Sequence, residues 1–198
     1  MMAGELDILE SSDGALLVKI ARASLEQFVE RGVVAQPDLA QLPPAVQQPG
    51  TTFVTLRYAG RLRGCIGNVL EERPLAESVV YNAVAAASRD PRFLPVTTVE
   101  LAAMTVEVTI LTPLRPLVYN QYDDLISKIE SGRDGVMFKW GKRRGILLPQ
   151  MWERIPTTAN FLNAIAQKAN IPYAQLLTQP PVVAVYTFQA QHFEEMNY

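Results

Sequence analysis

The stretch VTLRYAGRLRGCIG (residues 54–67) and the stretch VMFKWGKRRGILLP (residues 136–149) run through the same succession: strand-favouring residues, a basic residue, an aromatic, a glycine turn, further basic residues and Arg-Gly. Treating Ala59 as a one-residue insertion pairs Arg57 with Lys139, Tyr58 with Trp140, Gly60 with Gly141, Arg61 with Lys142, Arg63 with Arg144 and Gly64 with Gly145. Each stretch reads as a β-hairpin, because β-branched and aromatic residues flank a glycine-containing turn. Each is followed by a helix announced by proline (Pro74, Pro156) and then by one strand, so the chain reads as two diverged ββαβ units. The alternative is that two hairpins use glycine and arginine at their turns independently. Either way the fold class is α+β, with antiparallel sheets and packed helices in two lobes.

Outward from the hairpins, Leu16, Leu17, Ile20, Ser24, Leu25, Phe28 and Val29 follow helical spacing with Gly32 beyond the end, which predicts a helix over 14–31. Pro37, Pro43, Pro44 and Pro49 exclude a long helix or a central strand between residues 33 and 50. Asp90-Pro91 stops the helix that Pro74 opens. Met104, Val106, Val108 and Ile110 alternate with Thr105, Glu107 and Thr109, the period of a strand with one face buried. A short helix over Asp123 to Ser131, a helix through Phe161, Leu162, Ile165 and Ala169, and a last strand over Val182 to Phe188 complete the reading. We expect a single domain over 1–198 with approximate lobes 51–118 and 119–198, the helix 14–31 packing on the second lobe.

Of the 198 residues, 48% are hydrophobic and 19% charged, a balance that excludes a disordered chain. No apolar run is long enough to span a bilayer, and the leader MMAGELDILESSDG is acidic where a signal peptide is basic, so the cytoplasm is the expected location. One cysteine and one histidine exclude an intramolecular disulfide and a Cys/His zinc site, and no metal or cofactor is expected. The signatures GxGxxG, HExxH, GxSxG and the phosphate loop are missing. Eighteen basic against 20 acidic residues give a net charge of −2, without the global footprint of a nucleic-acid binder. Nucleic acid is therefore an unexpected partner, although local patches remain open.

Cys65 lies between Gly64 and Gly67, where backbone can approach closely, and regular alternation puts Arg61 and Arg63 on its face. Neighbouring guanidinium charge raises thiolate content, one requirement of a nucleophile. The competing reading is a small buried cysteine, with His192 a surface residue near the C-terminus. Glu107, a mid-strand carboxylate, needs a cation, and Arg63 is the expected partner. Asp90-Pro91-Arg92-Phe93 reads as a helix stop whose Asp accepts backbone N–H groups and whose Phe anchors a loop, while Arg92 suits the grip of a carboxylate or phosphate.

Three functional readings follow. The first is a ligand or catalytic pocket between the lobes, floored by Arg63, Cys65 and Glu107, with Arg92 recognising an anion. The second is a non-catalytic adaptor that docks a protein through residues 37–49 and through Tyr119, Tyr122 and Trp152. The third, set last by the net charge, is nucleic-acid binding through Lys139, Lys142, Arg143 and Arg144 beside Trp140, where a solvated hairpin tip is the plainer account. Whether the chain is an enzyme stays open.

LRGCIGN (62–68), DPRFLPV (90–96), EVTILTP (107–113), GRDGV (132–136) and ILLPQ (146–150) stand in the order in which the AMMECR family carries such blocks. The chain resembles that family over roughly residues 14 to 190. QKANIP (167–172) resembles the family's Lys-Ala-Gly block with Asn170 in place of the usual glycine, and MWERIPTT after Gln150 departs from its usual Val-Ala-rich segment. The resemblance implies a two-lobed α+β fold and a biochemical activity that is not established. It also implies a link at the level of genes, since members in many prokaryotes accompany a Memo-like protein and a radical SAM protein, which makes either one a candidate partner. From the reading of the residues themselves, Cys65 and Glu107 are the catalytic candidates and Arg63, Arg92 and Asn68, all within these motifs, the ligand-binding candidates.

Overall fold

The structure is a computed structural model that describes residues 9–67 and 73–195. In chain order its elements are α1 (Ser11–Arg31), α2 (Pro44–Gln47), β1 (Thr51–Tyr58), β2 (Arg61–Gly67), α3 (Leu75–Ser88), β3 (Met104–Leu111), β4 (Arg115–Leu117), α4 (Tyr122–Lys128), β5 (Gly135–Trp140), β6 (Arg143–Leu147), α5 (Thr158–Lys168), β7 (Ala184–Phe188) and β8 (Ala190–Glu194), with short 3-10 turns between some of them. They form two units, one running to Leu111 and resuming at Gln191, the other running from Thr112 to Ala190.

The first unit holds a sheet in the order β2-β1-β3-β8 and the second a sheet in the order β6-β5-β7-β4, with antiparallel pairing of β1 with β2 and β3 and of β5 with β6 and β7. Hairpin, helix and third strand therefore recur as ββαβ in each. The strand after each ββαβ joins the other sheet: β4 follows β3 in the chain but pairs with β7, and β8 follows β7 but lies beside β3. That return corrects the expected division at 118/119. Residues from Thr112 onward already belong to the second unit, and the C-terminal strand belongs to the first.

Helix α1 also corrects the sequence reading. Its apolar stripe of Leu17, Val18, Ala21 and Leu25 packs on α3 and β3 of the first unit and not on the second lobe. Phe193 of β8 occupies the space beside Gly14, where a Cβ would come 2.1 Å from its ring. Arg22 of α1 bonds Glu195 through Nε and Nη2, each at 2.6 Å, and Glu195 accepts the Val106 N–H at 2.9 Å. These contacts need α1, β3 and β8 in one unit. Gly32 ends α1 at φ 67°, a left-handed turn that glycine adopts without a Cβ penalty.

In both units a glycine sets the fit of helix on sheet. A Cβ on Gly64 of β2 would lie 2.3 Å from the Ala86 carbonyl oxygen of α3, and one on Gly145 of β6 would lie 2.6 Å from the Ile165 carbonyl oxygen of α5. The alanines at 83 and 85–87 make the first of these approaches feasible by keeping α3 thin. On the helix side lie Val54, Leu56, Val106 and Val108 in the first core, and Val136, Phe138 and Val185 in the second.

The hairpins differ by one residue, but not at Ala59. Both turns contain two residues: Ala59-Gly60, with φ of 47° and 76° as a type I′ turn requires, and Gly141-Lys142, with positive φ at the glycine. The extra residue is Arg63 itself. Leu56 pairs with Gly64 and Arg57 with Leu62, so Arg63 is bulged out of register. In the second hairpin Phe138 pairs with Gly145 and Lys139 with Arg144. Arg144 thus corresponds to Leu62, and Arg63 has no counterpart.

Candidate functional site

The three motifs singled out in the first half come together on β1, β2 and β3. Strand alternation sends Val54 and Leu56 towards the helices and Thr55 to the opposite face, where Thr55 stands between Cys65 on β2 and Glu107 on β3. The Thr55 hydroxyl donates to Cys65 Sγ at 3.3 Å. Beyond Glu107, on β8, His192 places Nδ1 2.9 Å from Thr109 Oγ1 and 3.7 Å from Glu107 Oε1. Cys65, Thr55, Glu107 and His192 thus form one polar row across four strands. Three interstrand spacings separate its ends, about 14 Å, so His192 is out of reach as a base for Cys65.

Glu107 corrects the expected charge pair. Its cation is Arg57, whose Nε and Nη2 each stand 3.3 Å from Oε2, and not Arg63. The reason is geometric: β1 separates β2 from β3, and the bulge turns Arg63 off the sheet. His192 and then Arg57 hold the Glu107 carboxyl below its ordinary range.

Arg63 instead binds the loop after α3. Its Nε meets Glu100 Oε1 at 2.7 Å, its Nη1 donates to the Leu94 carbonyl at 2.8 Å, and its guanidinium stands 5.9 Å from the Phe93 ring centre. The Glu100 carboxylate, which also accepts the Thr97 N–H and hydroxyl, is held down at about 2, chiefly by Arg63. Since the bulge breaks alternation, Arg63 does not flank the thiol as the regular strand pattern implied.

Asp90 and Arg92 close the outer edge of β2. Asp90 Oδ2 accepts the Cys65 N–H at 2.8 Å, and Arg92 Nη2 donates to the Cys65 carbonyl at 3.3 Å. Arg92 holds Asp90 by Nε–Oδ1 at 2.9 Å and Nη2–Oδ2 at 2.6 Å, while its own N–H caps Oδ1. The Asp90 side chain is 2% exposed and Arg92 is 53% exposed. Arg92 keeps the Asp90 carboxyl well below the usual carboxylate range, assisted by the Cys65 N–H. The grip anticipated for Arg92 is therefore on an internal carboxylate, and what it positions is the backbone on both sides of the one thiol. Among the described residues Arg92 Nη1 has no partner. Asn68, named with these residues, lies outside the described residues.

The aromatics expected on an adaptor surface are not there. Tyr119 is buried with its hydroxyl on the Val183 carbonyl at 2.9 Å, and Trp152 is buried with Nε1 on the Asp134 carbonyl at 2.7 Å, stacked at 3.8 Å on Phe161. Tyr122 packs half-buried against the same core. The polar tips of Tyr119 and Trp152 find backbone acceptors, which is why such residues can lie inside. Sequence reasoning missed His192. Its signal was the C-terminal alternation in which Phe193 points to the helices and His192 away.

The second unit supplies a built-in comparison. Through the shared register, Thr55 corresponds to Met137, Cys65 to Ile146 and Glu107 to Tyr186, with Pro116 on the fourth strand. The row that is polar in the first unit is Ile, Met, Tyr and Pro in the second. The edge carbonyl of Ile146 is still caught by a cation, Lys168 Nζ at 3.0 Å, in the place of Arg92 on Cys65. The residue four past the helix carbonyl that meets the glycine is Asp90 in one unit and Ala169 in the other, so no carboxylate reaches the Ile146 N–H from that position. Among the described residues no three His, Cys, Asp or Glu side chains gather as metal ligands, and no helix is long and apolar enough to cross a membrane.

Comparison with known proteins agrees with these motifs. The family model AMMECR1 matches residues 18–193. A protein of Thermofilum pendens is 36% identical over 94% of this chain and 92% of its own length, and one of Methanothermobacter thermautotrophicus is 38% identical over 94% and 96%. The crystal structure of an uncharacterized protein from Pyrococcus horikoshii is similar with a TM-score of 0.83 at 32% identity, covering 94% of this chain and 93% of that one.

Proposed function

The chain belongs to the AMMECR1 family, and from that premise we propose that its first unit binds a small polar ligand on the sheet face opposite α1 and α3, with Cys65 and Glu107 as the groups that meet it. The observation that carries this reading is the internal contrast. One sheet architecture occurs twice, and only one copy has Cys65, Thr55, Glu107 and His192 where the other has Ile146, Met137, Tyr186 and Pro116. A sheet face kept only for packing has no need of a thiol and a carboxylate on either side of Thr55. Arg57 and His192 hold Glu107 ionised for a cationic or hydrogen-bonding group, and Asp90 and Arg92 fix the strand that presents the thiol.

Cys65 is the only cysteine, so the test is direct. Iodoacetamide at neutral pH should give one adduct on the folded chain, read by intact mass. Thr55→Val should slow that reaction several-fold by removing the hydroxyl that supports the thiolate, while Met137→Leu at the matching position leaves it unchanged. A thiol that reacts only in denaturant, or equal rates in all three proteins, would overturn the proposal.

A further inference from the structure

The net charge of −2 conceals a strong division. Residues 112–190 carry nine basic and five acidic side chains, a net of +4, and the rest of the chain carries nine basic and 15 acidic, a net of −6. Within the second unit no acidic residue falls inside the β5–β6 hairpin, residues 135–147, and Asp134 directly precedes it. Asp124 pairs with Lys128, and Glu130 and Asp134 pair with Arg133. Lys139, Lys142, Arg143 and Arg144 are exposed, and among the described residues none of them pairs with a carboxylate.

The matching hairpin of the first unit shows that this is no general property of the motif. There Arg57 is neutralised by Glu107 and Arg63 by Glu100. In the second unit the position opposite Lys139 on β7 is Ala184, and β6 is an edge strand with no further strand beyond it. A half-buried Trp140 rests on the core with the Arg143 guanidinium 5.2 Å from its ring centre, and Arg143 is fixed by the Asn170 carbonyl. Asn170 itself has φ 52°, the left-handed conformation that explains glycine as the usual residue there and asparagine as its substitute.

We infer that the β5–β6 hairpin is a binding site for single-stranded nucleic acid that crosses its tip, Lys139 and Arg144 on the face away from the core and Lys142 at the turn taking phosphates, and the Trp140–Arg143 pair on the other face offering a platform on which an unpaired base stacks. Clustered cations without counter-charges, beside an aromatic and an arginine, are the combination that binds single strands with little sequence preference. The site is separate from the polar row of the first unit and does not rest on it.

The test is fluorescence anisotropy of a labelled 12-nucleotide polyuridine with the full chain at 20 mM salt and at higher salt. Binding should weaken with salt with a log–log slope of about −2, as for three phosphate contacts on a single strand. K142E/R144E should weaken it by about tenfold or more and flatten that slope. Both side chains are exposed and make no hydrogen bond among the described residues, and an unchanged thermal melt would verify that the variant is folded. Lys19→Glu with Arg31→Glu on α1 makes the same change in net charge in the first unit and should leave binding within about twofold. Absence of binding at 20 mM salt, an equal loss in the α1 control, or binding to phosphatidylserine vesicles in place of the oligonucleotide would each overturn the inference.

Discussion

The two hairpins share a fold and differ in what they do with it. At 61–67 a bulge throws Arg63 out of the strand onto Glu100, and the Cys65 peptide is fastened by Asp90 and Arg92. At 143–147 there is no bulge, the matching carbonyl is held by Lys168, and among the described residues the cations at the tip have no carboxylate partner. The frame occurs twice, and the bulged Arg63, the Asp90 carboxylate and the row Cys65, Thr55, Glu107 and His192 separate a polar site from a plain basic turn. The architecture and the chemistry can therefore be varied separately, and each can be tested against the other copy.

The sharpest way to break the comparison is at the glycines. Gly64→Ala and Gly145→Ala should each cost about 2–3 kcal/mol in urea unfolding, because the new methyl meets helix backbone that cannot move aside. If one of the two is neutral, the helices do not approach their sheets in the same way and the copies are less alike than their register suggests.

A second test uses acid. The Asp90 and Glu100 carboxyls, held down by Arg92 and Arg63, lie in the first unit. A carboxyl with a depressed folded pKa stabilises the fold above its unfolded value and loses that contribution as pH falls through the folded one. The first unit should therefore weaken from about pH 4, with the Glu100 contribution gone once pH passes about 2. Trp140 and Trp152 both lie in the second unit, whereas α1 and α3, with 21 and 14 residues, dominate the helical signal from the first. Circular dichroism should accordingly fall at higher pH than tryptophan fluorescence changes. Coincident transitions would erase the electrostatic distinction between the copies.

The smallest effect sharpens the account of the bulge. Arg63→Met combined with Glu100→Gln should be non-additive by about 1 kcal/mol, and Arg63→Met combined with Glu107→Gln should be additive. Coupling in the second pair and not the first would restore the strand alignment without a bulge.

Sequence alone made the frame legible, because it is written in local periodicity. The alternation of Met104 to Ile110, the stripe of α1 and the glycine turns each act over a few residues. The equivalence of Gly64 with Gly145 was readable for the same reason. The slip at Arg63 was not, since a bulge keeps the composition of its strand and is fixed by partners 30 or more residues away, the carbonyls of Leu94 and Pro95 and the carboxylate of Glu100. His192 escaped because its strand lies beside β3 across more than 80 residues of intervening chain. Tyr119 and Trp152 were read as exposed because composition says nothing of whether a carbonyl waits for a hydroxyl or an indole N–H inside.

The reciprocal placement of β4 and β8 gives the chain an unusual order of completion. As it emerges from synthesis, α1, the first hairpin, α3 and β3 are made before any of the second unit, yet their sheet lacks its fourth strand until the last residues appear. Leu9 waits for Gln191 across 182 positions, and Arg22 waits for Glu195 across 173. The second unit has all its strands by Phe188 and can close first. The oldest part of the molecule is thus the last to be finished, and a ribosome that stops short of β8 leaves β3 with a bare edge and the polar row without its histidine.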